Sequence, residues 1–214
     1  MSLGKKAVNI TLSTILATTS ISAVSCTPGY IPKKREAILA QEVKNEDYVA
    51  GFEGIPILSL KKIGVLVENL SLNLTITGCA TSRNPETHLK YIEKTHENGN
   101  NVYIVGYSAG AKDALALAEL CKEKNIPIKT MYLLDPTCFV QGFTRKIPDN
   151  VTRVINYRSD SKDSIRGDPI TSENLESKTT SFKNKEFLEV GHLGLPKEVT
   201  DSILRHILYS NLDN

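Results

Sequence analysis

Asn101-Val102-Tyr103-Ile104-Val105-Gly106-Tyr107-Ser108-Ala109-Gly110-Ala111-Lys112-Asp113-Ala114-Leu115-Ala116-Leu117-Ala118 carries two structural periods in one stretch. Val102 to Val105 is a short apolar run, the pattern of a buried strand. From Ala109 to Lys124 the chain is dominated by Ala and Leu, strong helix formers. Gly-Tyr-Ser-Ala-Gly lies between them and must turn the chain from strand to helix. The five-residue pattern is short enough to recur by chance. A strand before it and a helix after it give it meaning, because that context holds a serine hydroxyl out at the top of a sheet.

The same alternation runs outward in both directions. Asp47-Tyr48-Val49-Ala50 predicts a strand ending in the turn Gly51-Phe52-Glu53-Gly54. Ile63, Leu66, Val67 and Leu70 follow the i, i+3, i+4, i+7 rule of a helix face, and Leu72 to Thr77 alternates like a strand. A helix starts at Asn84-Pro85-Glu86, with Asn84 as cap, and stops at Asn98-Gly99. Ile128 to Leu134 and Val151 to Tyr157 are further strands. Ser159 to Asn184 reads as a polar, irregular loop or small lid, and Phe187 to Val190 as a short last strand. The final helix runs from Pro196 to Ser210 with Ile203, Leu204, Ile207 and Leu208 inward. Strands separated by helices predict an α/β fold, a mostly parallel central sheet of about six strands with helices on both faces. Ligands of such sheets bind beyond the carboxyl ends of the strands, where Ser108, Asp135 and His192 all fall.

With 214 residues the chain is long enough for one domain and a real core. Its 26 basic and 24 acidic residues leave a net charge of +2, which comes from Lys5 and Lys6 alone. A surface so balanced argues against nucleic acid as a partner. Those two lysines precede an uncharged run, Ala7 to Ser25, that ends in small residues before Cys26. A basic start, an apolar middle and a small-residue end predict a secretory signal over 1–25. The ending also resembles a bacterial lipoprotein signal, which implies a lipid on Cys26, anchoring to a membrane and a place in the cell envelope. Ala23 stands where such signals usually carry leucine. Ala23-x-Ser25 equally suits an ordinary cut before Cys26, and a third reading makes the run a mature strand in a cytoplasmic protein. Residues 26–46 read as a tether and short helix, leaving 47–214 as the folded domain. Cys79, Cys121 and Cys138 lack metal-site spacing and make no complete disulfide framework, so no metal is expected.

A serine hydroxyl needs a base to take its proton and a third group to orient that base. Small neighbours make room for Ser108 on its tight turn. The following helix begins with unpaired backbone N–H groups, so the Ala109 N–H is placed to hold a developing oxyanion. A phosphate-binding or structural turn is the alternative reading of the same five residues. Over residues 47 to 210 the chain resembles the α/β-hydrolase superfamily, and Val102 to Pro136 is most similar to its small thioesterase branch. There Gly-Tyr-Ser-Ala-Gly is followed by a helix and by a strand ending in aspartate. That resemblance implies Asp135 as the acid. Most other members carry it one strand later, which would make it Asp160 or Asp163. It also implies His192, between the last strand and the last helix, as base, with the chain order Ser, Asp, His.

Of the remaining histidines, His88 and His96 are expected to be solvated and His206 to point away from the apolar face of the last helix. The superfamily takes its second oxyanion donor from the loop after the first core strand, here the Phe52 N–H, with Glu53 expected to turn outward. The implied activity is cleavage of a carboxylic ester in a small-molecule or lipid acyl substrate, without a cofactor. An acyl thioesterase, an acyltransferase with the same triad and a non-catalytic lipoprotein module are the alternatives. Only 14 residues separate Pro136 from Val151, where larger relatives insert a lid. An open cleft follows, suited to short acyl chains or to a substrate presented at a surface.

Overall fold

The computed structural model of the chain describes residues 47–54, 63, 64, 66, 84–137, 146–159 and 167–210. The expected leader, Cys26, the 26–46 tether, the expected strand Leu72–Thr77, Cys79, Cys138, Asp160 and Asp163 lie outside them.

Five strands build one sheet: β1 (Tyr48–Phe52), β2 (Val102–Tyr107), β3 (Thr130–Leu134), β4 (Arg153–Ser159) and β5 (Ser181–Phe187). They lie side by side in chain order, and all four pairings are parallel. The described helices are α1 (Glu86–Glu97), α2 (Ala111–Glu123) and α3 (Leu195–Ser210). Every residue of β1, β2 and β3 is buried. Strands covered on both faces show continuous apolar runs instead of alternation, which is how they read in the sequence.

Side-chain alternation along the strands sorts these residues into two cores. Ala50, Phe52, Ile104, Met131, Leu133 and Val154 pack with Ile92 of α1 and Ala114, Leu115 and Ala118 of α2. On the opposite face Val49, Tyr103, Tyr107, Tyr132 and Tyr157 meet Ile63, Leu66 and the inward stripe Leu195, Val199, Ile203 and Ile207 of α3. Pro85 precedes the first turn of α1, and the Asn84 Oδ1 accepts the Glu86 N–H at 3.1 Å. Gly99 stops the helix with φ +76°. Cys121 is buried in α2, which pushes its thiol up to about 12 and leaves it an inert apolar group.

The last strand departs from expectation. β5 spans Ser181–Phe187: it begins inside the stretch read as an irregular loop, which ended at Asn184, and shares only Phe187 with the strand expected there. Most of its residues are exposed. A strand at the edge of the described sheet needs no apolar face, and charged side chains guard such an edge against pairing with other chains. Lys185 shows how: its ammonium lies over the Tyr157 ring, 5.1 Å from the centroid, and donates to Ser202 Oγ at 3.3 Å.

His88 also departs from expectation. His96 is exposed, but His88 is fully buried on the inner side of α1. Its Nδ1 shares a 2.9 Å hydrogen bond with the Tyr48 hydroxyl, and its ring lies 4.9 Å from that of Phe52. Burial lowers its pKa from 6.5 to about 4. The unfolded chain therefore takes up this proton at a pH where the folded chain refuses it. The contribution of His88 to stability is complete above pH 6.5 and is lost, on the order of 3 kcal/mol, as the pH falls from 6.5 through 4. Urea unfolding of wild type and His88→Leu across this range should give diverging curves, with the variant lacking that part of the decline. Parallel curves would mean that His88 does not titrate with unfolding.

Candidate active site

β2 ends at Tyr107, and the chain passes through a 3-10 turn, Ser108–Gly110, directly into α2. Ser108 has φ +52°, a left-handed conformation that costs a non-glycine residue on the order of 1 kcal/mol. It persists because both sides are fixed, by β2 before it and by the helix after it. The turn following β1 lies against it. A Cβ added to Gly54 would sit 3.0 Å from Ser108 Cβ and 3.4 Å from its Oγ. Gly110 is pressed onto the same turn: a Cβ there would be 2.5 Å from the Phe52 carbonyl oxygen and closer still to that of Glu53. Phe52 closes β1, in register with Gly106, and Ala109 is half-buried at the start of the turn.

Tyr107 and Leu134 are registered partners on β2 and β3, so the residues that follow them, Ser108 and Asp135, stand side by side at the sheet's carboxyl edge. Asp135 also has positive φ, +42°, and is fully buried. Its own N–H donates to the Tyr157 carbonyl at 2.8 Å. Its carboxylate is divided between two tasks. Oδ1 accepts the backbone N–H of Ser159 at 2.7 Å and of Gly167 at 3.2 Å, while Oδ2 is 3.0 Å from Nδ1 of His192. Burial alone would raise the pKa of this carboxyl. The hydrogen bonds from His192, Ser159 and Gly167 outweigh burial and hold it below the usual aspartate value. An ionised Oδ2 can only accept, so His192 carries a proton on Nδ1.

His192 lies between β5 and α3 and is 4% exposed. The turn around it is closed by the Gly194 and Leu195 N–H groups on the Gly191 carbonyl, at 2.8 and 3.1 Å. The Tyr107 hydroxyl donates to the His192 carbonyl at 3.0 Å, and the two rings stack with centroids 4.9 Å apart. The other histidine on this side of the sheet, His206, is occupied elsewhere. Its Nδ1 meets the Tyr132 hydroxyl at 2.7 Å and its Nε2 the Arg153 guanidinium at 2.9 Å. Burial, then the positive charges of Arg153, Lys185 and Lys129, lower its pKa.

The structure thus joins Asp135 to His192 directly and places Ser108 beside Asp135, one residue beyond the tyrosine that His192 stacks on. Glu53 differs from expectation. It does not turn out into solvent but is half-buried, with Oε1 accepting the Gly64 N–H at 2.9 Å. Tyr107, Ser159 and Gly167 are the positions that sequence reading left out. Two of them act through backbone N–H groups, which have no residue signature. Among the described residues no cluster of His, Cys, Asp or Glu could hold a metal ion, and no helix is long and apolar enough to cross a membrane.

No protein-family model matches the chain, and no curated protein matches it. Several solved structures are similar. An arylesterase is 11% identical, over 75% of this chain and 73% of that one, with a TM-score of 0.49. XC6422 from Xanthomonas campestris, an α/β serine hydrolase without a lid, is 13% identical over 74% and 79%, with a TM-score of 0.46. The RedJ thioesterase of the prodiginine pathway in Streptomyces coelicolor is 12% identical over 95% and 99%, with a TM-score of 0.46. Identities this low transfer no residue's role. The fold is read from the chain's own geometry: a parallel sheet with helices on both faces, and Ser108, Asp135 and His192 beyond the ends of its strands.

Proposed function

We propose that this chain is a serine hydrolase that cleaves carboxylic esters or thioesters through an acyl-enzyme. The observation that carries the reading is the 3.0 Å bond between buried Asp135 and His192 at the sheet edge where the strained Ser108 turn lies. In this mechanism His192 Nε2 takes the Ser108 proton as Oγ attacks the carbonyl carbon. The carbonyl π electrons move onto oxygen, and the Ala109 N–H with an N–H of the Phe52–Gly54 turn, for which we assign Phe52, hold that oxyanion. Collapse breaks the bond to the leaving group, which collects the proton from His192. Water then repeats the sequence and frees Ser108. Asp135 keeps the imidazole in its accepting tautomer and faces the imidazolium that forms.

Within this reading, residues 1–25 direct export and Cys26 receives a lipid. Export favours an acyl ester at the cell envelope as substrate. A chain retained in the cytoplasm would favour an acyl thioester. Intact-mass analysis of the full chain after treatment with a fluorophosphonate tests the common core of the proposal. Wild type should gain a single adduct on Ser108, and Ser108→Ala none. No adduct on folded wild type would end the hydrolase reading and leave a binding module on the same fold. Ester and thioester panels, with and without an alcohol acceptor, then identify the substrate class.

A further inference from the structure

We propose that Tyr107 is a positioning residue that sets His192 relative to Ser108, its hydroxyl fixing the base's backbone and its ring lying against the imidazole. The inference rests on the serine-hydrolase reading. Tyr107 is 1% exposed and adjoins Ser108 in the chain, so its ring starts from the same rigid strand end as the nucleophile. The segment that carries the base has no such frame. It follows an exposed edge strand, Glu189 within it has φ +62°, and Leu188 and Leu193 are 70% and 44% exposed. His192 is nevertheless buried. Its ring nitrogen is tied to Asp135, and its carbonyl accepts the Tyr107 hydroxyl at 3.0 Å. The two rings are 26° from parallel with centroids 4.9 Å apart. One side chain thereby spans from nucleophile to base.

Two further features fit this role. Burial first, and then the charges of Asp135 and Glu53, push the Tyr107 phenol far above its ordinary pKa, so it stays protonated and keeps donating. The negative face of an aromatic ring also favours a cation against it, here the imidazolium formed as Ser108 attacks. Tyr132 and Tyr157 lie on the same face of the sheet and are equally buried. Their hydroxyls meet His206 Nδ1 at 2.7 Å and Ser202 Oγ at 3.0 Å, both in the body of α3. Those two hold the helix, whereas Tyr107 holds the base.

Saturation kinetics of fluorophosphonate labelling on the full chain separate reversible binding, KI, from the chemical step, kinact. Tyr107→Phe should lower kinact about tenfold and leave KI unchanged, still reaching one adduct per chain. Tyr107→Leu, which also removes the ring, should lower kinact by about 100-fold or more. Tyr132→Phe, which removes a hydroxyl of the same kind from the same face, should stay within about twofold of wild type. Reading kinact on the reactive fraction keeps any misfolded fraction out of the comparison. Equal kinact in wild type and Tyr107→Phe overturns the inference, as does an equal loss in Tyr132→Phe. Failure of wild type to label overturns the hydrolase reading itself, and the two failures are distinct.

Discussion

Asp135→Asn should lower kcat by about 10,000-fold, equivalent to about 5.5 kcal/mol, with KM and the folded state nearly unchanged. Asparagine has the same shape, and its amide oxygen can take the place of Oδ1 under the Ser159 and Gly167 N–H groups. Those two donors then force the NH₂ toward His192. An NH₂ cannot accept from Nδ1–H, so the imidazole moves its proton to Nε2 and its bare Nδ1 accepts a hydrogen bond from the amide NH₂. A protonated Nε2 is unable to receive the Ser108 proton. Fold, binding and oxyanion donors survive while the base is disabled. Steady-state rates on the best ester, beside urea unfolding, check this. A loss below about tenfold would remove Asp135 from the role and direct attention to Asp160→Asn and Asp163→Asn.

Gly110→Ala should be damaging for a different reason. A methyl there would lie 2.5 Å from the Phe52 carbonyl oxygen and closer to that of Glu53, and neither is the end of a flexible side chain. The turn after β1 has to move, and Gly54 with it, away from Ser108. We expect a loss of about 3 kcal/mol in stability, the upper end for overpacking. The rate should also fall by about 100-fold or more, as when one oxyanion donor is removed. Gly99→Ala is the control. Its φ of +76° is strained for alanine, yet a Cβ meets nothing within 4 Å. It should cost about 1 kcal/mol and leave the rate alone. Wild-type activity in Gly110→Ala would exclude the Phe52–Gly54 turn from the oxyanion site.

How far the sequence was legible depends on where each residue's constraints come from. β2, the Ser108 turn and α2 follow one another locally, so period and composition were enough to place them. β5 was hidden because an edge strand carrying Lys183, Lys185 and Glu186 shows no apolar alternation. His88 was misread because Glu and Lys dominate its helix. The clue was the spacing of His88, Ile92 and Thr95, which are four and then three residues apart and are the buried positions of α1. Asp135 was reached only through the resemblance to a thioesterase branch. Its partner His192 lies 57 residues further on, and no local pattern records a bond that only the closed sheet creates.

The described strands lie in the sheet in the order in which they occur in the chain, and this bears on how the protein is made. Each new strand finds its neighbour already synthesised, so the sheet can grow from one side without waiting for distant sequence. The reactive groups arrive in the same order. The turn at Phe52 comes first, the serine second and the acid third, while the imidazole and the helix that covers it emerge near the end. Under the proposed mechanism, a nascent or truncated chain that stops before His192 carries a serine with nothing to activate it.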